Sequence, residues 1–440
     1  MAVAELLYVT RWMPDAQGGG TQKRAAAHLR ALAACGRVHL LYLGDGQCRL
    51  SESAAPDVAS VTDGATLSRQ WLARESEGRM QTLWRRLTGQ AWGMSGLIEQ
   101  PRPALMAAIH AALPRQQFDA VFAFHLGSAL LVDALPLVAA GAPRIIDWDF
   151  MESQNVLPLA CATHQQLRWS HRLSAHLHAA KLALWERRIL QRWDQHLCSS
   201  PMDVPLLQSR VRDPGAVRAI ANTAAVSAQC PAPPLPGLPP TALFVATFGY
   251  WPNEDGAMHL LADVWPAVRV RHPAAQLLLV GRAVPPCLQG WHGRDGVQVH
   301  PDVPDVLPFY GRAHVALAPL RFAVGSNLKV PEAMAQGRPV LGYRPACSRH
   351  STDSRGILAV DDVVQFTQTL NACFDDLAAC AAQGQLAWAE ALQTCSAEVI
   401  DQQLAGHLQA LLQPAFRPVP SSSPRAASDR EPRATPSGNI

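Results

Sequence analysis

Residues 242–280 read ALFVATFGYWPNEDGAMHLLADVWPAVRVRHPAAQLLLV. An apolar run at Ala242 to Thr247, a helical stretch near Glu254 to Arg271 and a second apolar run at Ala275 to Val280 follow one another. Short apolar runs alternating with longer helical stretches are the pattern of a parallel sheet wrapped by helices. The alternation continues downstream, with strands expected at Gly296 to His300, His314 to Ala318 and Pro339 to Gly342, and a helix through Met334. It also opens the chain: a strand at Glu5 to Thr10, a Gly-rich loop, a helix from about Thr21 to Ala34 and a strand at Arg37 to Leu43 make a βαβ unit. Further strands are expected at Asp119 to Phe124, Pro143 to Asp147 and His196 to Ser199, with a long helical segment from about Cys161 to Trp193.

Between the halves, Ala228 to Pro240 reads AQCPAPPLPGLPP, too rich in proline for a helix or an interior strand. The expected organisation is therefore an α/β chain of two Rossmann-like, doubly wound domains facing a central cleft, because open parallel sheets bind ligands at their strand C-terminal edges. Residues 1–227 form the first domain, 228–240 the linker and 241–412 the second domain. The last helical pattern, about Ala387 to Leu412, is expected to cross back to the first lobe. A Pro/Ser/Arg tail, 413–440, reads as disordered.

Composition narrows the function. The 440 residues are 48% hydrophobic and 17% charged, which excludes a disordered or fibrous chain. No apolar run reaches the roughly 18 residues of a membrane span; even Ala129 to Ala140 is broken by Asp133 and Pro136. The start has Glu5 in its apolar stretch and no Lys or Arg before it, unlike a secretory signal, so a cytoplasmic location is expected. With 38 basic and 35 acidic residues the net charge is +3, too balanced to imply nucleic acid. Ten cysteines are scattered with no C-x-x-C pair and read as reduced thiols rather than a zinc or disulfide framework.

Two segments carry chemistry. Pro14 to Thr21, PDAQGGGT, lies after a strand and before a helix. Its glycines allow close backbone approach and the helix start attracts an anion, although a flexible turn has the same composition and the G-x-G-x-x-G spacing of a dinucleotide fold is missing. Leu320 to Ala335, LRFAVGSNLKVPEAMA, joins a strand to a helix. Ser326 and Asn327 are both good N-caps; with Pro331 taken as tolerated at the fourth helical position, Asn327 is favoured. Amides near Gly325, flanked by Arg321 and Lys329, then form a diphosphate cradle, and Glu332 is placed to accept hydrogen bonds from a diol such as a ribose. A surface ion pair between Lys329 and Glu332 is the structural alternative.

Four motifs occur in order here: Pro252-Asn253 near the first helix of the second half, P-x-A-x-L-x-x-V-G at 273–281, G-V-x-V-x-x-x-V-x-D-V at 296–306 and K-V-x-E-A-M-A at 329–335. Together with the opening stretch 12–41, they resemble the GT-B glycosyltransferases, most closely the retaining group-1/group-4 type found among exopolysaccharide-cluster sugar transferases. The likeness covers roughly residues 5 to 345. It implies a donor nucleotide sugar held mainly by the second lobe and a saccharide or lipid-linked acceptor on the first, with no metal and no cofactor beyond the nucleotide sugar. By resemblance, Glu332 matches the second Glu of the family's Glu-x7-Glu element, which binds the ribose, and Lys329 and Arg321 match phosphate-binding cations. Gly18, Gly19 and Gly20 match the loop that approaches the donor phosphates or the acceptor. Arg24, expected on the acceptor side, sits where the family often has an Arg on the next helix, and His125 where it places a polar residue near the reacting sugar. Eight residues before Glu332 the chain has Val324 in place of the first Glu, and Thr247 to Asn253 lacks the Arg/Lys pair many relatives carry. The first departure, Val324, fits a catalytically degenerate scaffold as the alternative to an enzyme; the second leaves Arg321 and Lys329 to carry more of the phosphate charge. A sugar-nucleotide epimerase would need acidic residues around the anomeric centre that the sequence does not identify.

Other patterns count for less. Asp147-Trp-Asp149 spells a D-x-D, but it ends a strand and is followed by Glu152-Ser153, resembling the D-x-x-E-S-like stretch of the exopolysaccharide relatives. Asp149 and Glu152 are therefore expected in a structural or acceptor-side role rather than on a metal. His164, His171 and His178 recur every seven residues. That spacing is about 10 Å along a helix, too far to share an ion, so a solvated or interdomain face is expected. Trp71, Arg74, Arg79, Trp84, Arg85, Arg86 and Trp92 mark a basic, Trp-containing stretch suited to an anionic membrane surface at the inner face, where a lipid-linked acceptor would be presented.

Overall fold

The apolar runs assemble into two all-parallel sheets. The protein is described here by a computed structural model that covers residues 3–44, 48, 50, 57–64, 66, 103–139, 141–154, 169–322, 327–347, 349–350 and 354–412. The first sheet holds β1 (Glu5–Thr10), β2 (Arg37–Tyr42), β3 (Ser60–Asp63), β4 (Ala120–Phe124), β5 (Arg144–Asp147), β6 (Gln195–Cys198) and β7 (Val217–Ala219), in the order β3-β2-β1-β4-β5-β6-β7. The second holds β8 (Thr241–Thr247), β9 (Gln276–Arg282), β10 (Val297–Pro301), β11 (Val315–Ala318), β12 (Val340–Tyr343) and β13 (Ile357–Val360), in the order β10-β9-β8-β11-β12-β13. The longer helices are α1 (Gly20–Ala33), α2 (Pro103–Ala112), α3 (Leu126–Asp133), α4 (Trp169–Leu190), α5 (Trp251–His259), α6 (Trp265–Arg271), α7 (Lys329–Ala335), α8 (Val363–Asp375), α9 (Leu377–Thr394) and α10 (Ala397–Leu412).

Central strands are continuous apolar runs because both sheet faces are covered. In β1, Leu6 and Tyr8 pack with Leu29 of α1 and with Leu404 and Leu408 of α10, while Leu7 and Val9 face Met106, Leu131 and Leu182 on the other side. The second sheet is buried likewise around Leu243, Phe244, Leu278, Leu279 and Leu317. Near the end of its β9 stands Gly281, where φ is 153° and a Cβ would fall 1.7 Å from the Ala246 carbonyl oxygen, so a side chain would push β9 off β8. That accounts for the glycine of the P-x-A-x-L-x-x-V-G stretch.

The sheet orders place two switch points, between β1 and β4 and between β8 and β11, where connections leave in opposite directions and open a crevice at the strand C-termini. The Gly-rich loop and His125 leave the first; the segments around Asn253 and α7 leave the second.

Several expectations need correction. The edge strands β3, β7 and β13, three or four residues each, were not foreseen. The helix expected over about Glu254 to Arg271 is divided by a π turn at Leu260–Val264, with the Trp265 N–H bonding to the Leu260 carbonyl. Pro266 has no N–H for the Ala262 carbonyl, so the ladder slips by one residue there. The pattern about Ala387 to Leu412 is two helices, α9 and α10, parted at Cys395 and Ser396. α10 packs against α1, where the Asp401 carboxylate accepts from Arg30 Nε at 2.8 Å. His178 is buried, which removes the solvated half of the expected solvated or interdomain face. The basic Trp-containing stretch, His164, the side chain of His171, Val324, Gly325, Ser326 and the tail 413–440 lie outside the described residues. Among the described residues no helix is long and apolar enough to cross a membrane, and the cysteines are free thiols.

Candidate functional site

α7 starts one residue later than expected. Its N-cap is Leu328, not Asn327, which has φ 39° and donates its side-chain amide to the Ala346 carbonyl at 3.4 Å. The cause is Pro331. With Leu328 as cap, the proline occupies the third helical position, inside the set of four N-terminal residues whose N–H groups have no intrahelical acceptor, whereas a cap at Asn327 would have lost one bond.

Lys329 and Glu332 do not pair with each other. Lys329 Nζ donates to Asn253 Oδ1 at 2.9 Å and lies 5.7 Å from the Phe244 ring centroid. Asn253 is buried and anchored by its own amide, which donates to the Thr247 carbonyl at 2.8 Å. The Pro252-Asn253 and K-V-P-E motifs thus meet in space. Burial pushes the Lys329 ammonium down to about 8, and the nearby Glu332 carboxylate pulls it back up only in part. Arg321 is exposed and forks onto Asp255, with Nε 3.1 Å from Oδ2, so much of its charge is already answered. Sequence reasoning overlooked Asp255, which sits two residues after Asn253.

Glu332 instead reaches the other lobe. Its Oε1 accepts from Lys23 Nζ of α1 at 2.9 Å, with both side chains 29% exposed. Beside this pair, Gly20 opens α1 against Leu328, and a Cβ on Gly20 would lie 1.9 Å from Leu328 Cδ1. Gly19 precedes it as the N-cap, donating its N–H to Gln22 Oε1 at 3.0 Å. The first turn of α1 and the start of α7 are therefore in contact across the interlobe boundary.

Arg24, expected on the acceptor side, is 3% exposed and lies beneath the site. Its Nε and Nη2 donate to Asp147 Oδ2 at 3.0 and 2.7 Å, and its Nη1 donates to the Ile220 carbonyl and to Asn222 Oδ1 at 3.0 and 2.8 Å. His28 shares the same carboxylate oxygen at 2.7 Å, and Tyr8 lies 3.2 Å from its other ring nitrogen. Burial penalises the His28 cation more than Asp147 favours it, which lowers its pKa. A neutral ring donating from Nε2 and accepting from Tyr8 at Nδ1 satisfies every partner. Burial also penalises the charged form of Asp147, but Arg24 and His28 outweigh that and hold its carboxyl far below the usual carboxylate range. Asp147 Oδ1 accepts from the Asp149 N–H at 2.8 Å, so the first acid of the D-x-D is occupied by the protein itself.

Above this buried cluster, unpaired polar atoms gather at the C-terminal ends of β1, β4 and β5. Arg11 Nε, His125 Nε2, Ser128 Oγ and Asp149 Oδ1 are buried and have no hydrogen-bond partner among the described residues. His125 and Asp149 hold positive φ, 68° and 53°, which costs of order 1–3 kcal/mol each for side chains of this kind. Burial lowers the His125 pKa to about 4 despite Asp149 and Asp147, so its ring is neutral at pH 7 and suited to orienting a hydroxyl group. Glu152 is pushed up to about 7 by burial and then by Glu186. Glu186 is itself held by Ser153, whose N–H and hydroxyl donate to it at 2.8 and 2.5 Å. Arg11 and Ser128 were not singled out from sequence, since nothing local distinguishes them.

Residues 239–376 match the family model described as glycosyl transferases group 1. No curated protein matches the sequence. Among solved structures the chain is similar to sucrose-phosphate synthase from Thermosynechococcus elongatus, with TM-score 0.63 and 16% identity over 93% of this chain and 99% of that one. It is also similar to Anabaena HepE in complex with UDP and glucose, with TM-score 0.59 and 11% identity over 93% of this chain and 100% of that one. WaaG, a glycosyltransferase involved in lipopolysaccharide biosynthesis, matches with TM-score 0.55 and 14% identity over 91% and 100%. At these identities the likeness establishes the fold: two Rossmann-like domains in the GT-B arrangement.

Proposed function

We propose that this GT-B protein is a glycosyltransferase that moves a sugar from a nucleotide diphosphate to a saccharide or lipid-linked saccharide acceptor in surface polysaccharide synthesis. The observation that carries this is the contact between Lys23 and Glu332, which seats the start of α7 at the interlobe boundary, on the side where the first lobe gathers its unpaired polar atoms. The match of residues 239–376 to the group 1 family and the UDP-bound neighbour support it. In this scheme residues 241–412 serve as the donor domain and 1–227 as the acceptor-side domain.

Lys329 carries the electrostatic work. Negative charge grows on the departing diphosphate, and a cation already stripped of water by Asn253 and Phe244 is worth more there than in solvent. Arg321 is a second cation once Asp255 yields it. Glu332 receives the ribose. His125, neutral and with a free ring nitrogen, orients the acceptor hydroxyl, and Glu152 can hold or release a proton near neutral pH. No enzymic nucleophile is assigned; the leaving phosphate takes the acceptor's proton on the front face, with retention of configuration and without a metal.

A screen of UDP-, GDP- and ADP-sugars by thermal melting tests this. A donor present at about 100 times its Kd contributes ~2.7 kcal/mol to apparent stability, and the stabilising donor should then be consumed with an acceptor. Stabilisation by no nucleotide sugar would overturn the proposal, and stabilisation without turnover would assign the scaffold reading suggested by Val324.

Donor binding should also depend on pH. With its pKa lowered to about 8 in the free protein, Lys329 is charged below that value and loses its charge above it. Nucleoside diphosphate affinity should hold to about pH 7.5, then fall roughly tenfold per pH unit beyond pH 8. Calorimetry between pH 6.5 and 9.5 checks this, and Lys329→Met should flatten that profile.

A further inference from the structure

Lys23 has been given no role by the family likeness or by the chemistry described above, yet it makes the only hydrogen bond to the Glu332 carboxylate among the described residues. The contact is not a chance touch of two long side chains. Lys23 lies in the first turn of α1, its N–H bonded to the Gly19 carbonyl at 2.9 Å. That turn is seated on Leu328, the cap of α7, so that a Cβ on Gly20 would have to displace the Leu328 side chain. Lys329, three residues before Glu332, is turned to Asn253 instead. Glu332 therefore has one oxygen, Oε1, fixed by an ammonium from the opposite lobe, while Oε2 makes no hydrogen bond among the described residues.

A free carboxylate rotates and offers several lone pairs in changing directions. One tied at a single oxygen presents the other in a set direction, which is what recognition of a hydroxyl group needs. We propose that Lys23 is a positioning residue: it aims Glu332 at the nucleotide ribose and so sets the preference for ribonucleotides over 2′-deoxyribonucleotides. This rests on Glu332 being the group that receives the ribose.

The test uses the full chain and calorimetry with UDP, GDP and ADP, followed by the 2′-deoxy counterpart of whichever binds. Wild type should prefer the ribonucleotide by about tenfold or more, the scale of a hydrogen bond to a charged group. Lys23→Met should reduce that preference to about twofold or less, Lys23→Arg should restore most of it, and Lys23→Met should change nothing further in a Glu332→Gln background.

Other outcomes overturn the inference in distinguishable ways. If wild type binds none of the three, the proposed function fails and this inference with it. If wild type binds without ribose preference, the ribose role of Glu332 fails. If Lys23→Met keeps the preference, or weakens both ligands equally as a loss of folding would, Lys23 has no positioning role. Tighter binding of both ligands by Lys23→Met would make Lys23 a competitor for the carboxylate, and the inference would be wrong.

Discussion

Arg24→Ala is expected to destabilise the first lobe by about 3–5 kcal/mol, because it strands Asp147 as a buried carboxylate without its cation. Asp147 is fully buried, and Arg24 supplies two of the donors on its Oδ2 while tying the 220–222 segment to the centre of the sheet. His28 cannot take over as a full cation, since its own burial lowers its pKa. The sign of the pH response discriminates further. In wild type the depressed Asp147 pKa contributes stability above the ordinary carboxylate pKa, and this is lost as pH falls through and below it. In Arg24→Ala the uncompensated carboxyl is raised instead, so the deficit relative to wild type should shrink between pH 7 and pH 4. Urea melts across that range measure it. A loss under about 1 kcal/mol at pH 7 would mean that Arg24 and Asp147 are not the buried pair described.

The second large effect is expected for Lys329→Met, a loss of roughly 10²–10³ in kcat. Methionine keeps the aliphatic stem against Phe244 and removes the charge, so the fold should survive with a melting curve near that of wild type. Removing the charge also frees Asn253 Oδ1, which costs little beside the loss of a cation at the leaving group. Transfer assays with the donor identified by thermal melting check this. A kcat within a factor of about three of wild type would move the diphosphate site away from α7.

Sequence patterns revealed the alternation of strands and helices because the central strands are buried on both faces and read as unbroken apolar runs, as in Leu6 to Val9 and Leu277 to Val280. The short edge strands gave no such run, and a three-residue strand such as Val217–Ala219 is indistinguishable from a loop by pattern alone. The site was legible where its chemistry is local: Lys329, Pro331 and Glu332 stand within one turn. It was not legible where the chemistry is long-range. Nothing near Lys23 indicates that it meets a carboxylate 309 positions away, and nothing near Arg24 says that it is spent on Asp147 rather than on a ligand. Arg321 looked free because its partner, Asp255, lies 66 positions earlier. The cap at Leu328 in place of Asn327 follows from backbone bonding rules alone, because a proline at the fourth helical position forfeits a bond that one at the third does not.

The seat of α10 bears on how the chain is made. Ile400, Leu404 and Leu408 complete the apolar face that Leu29 and Leu32 begin, so α1 has nothing to cover that face until residues near the far end have left the ribosome. At 5–20 residues per second the wait is roughly 20–75 s. During it the nascent first lobe leaves the α10-facing flank of α1 exposed to solvent.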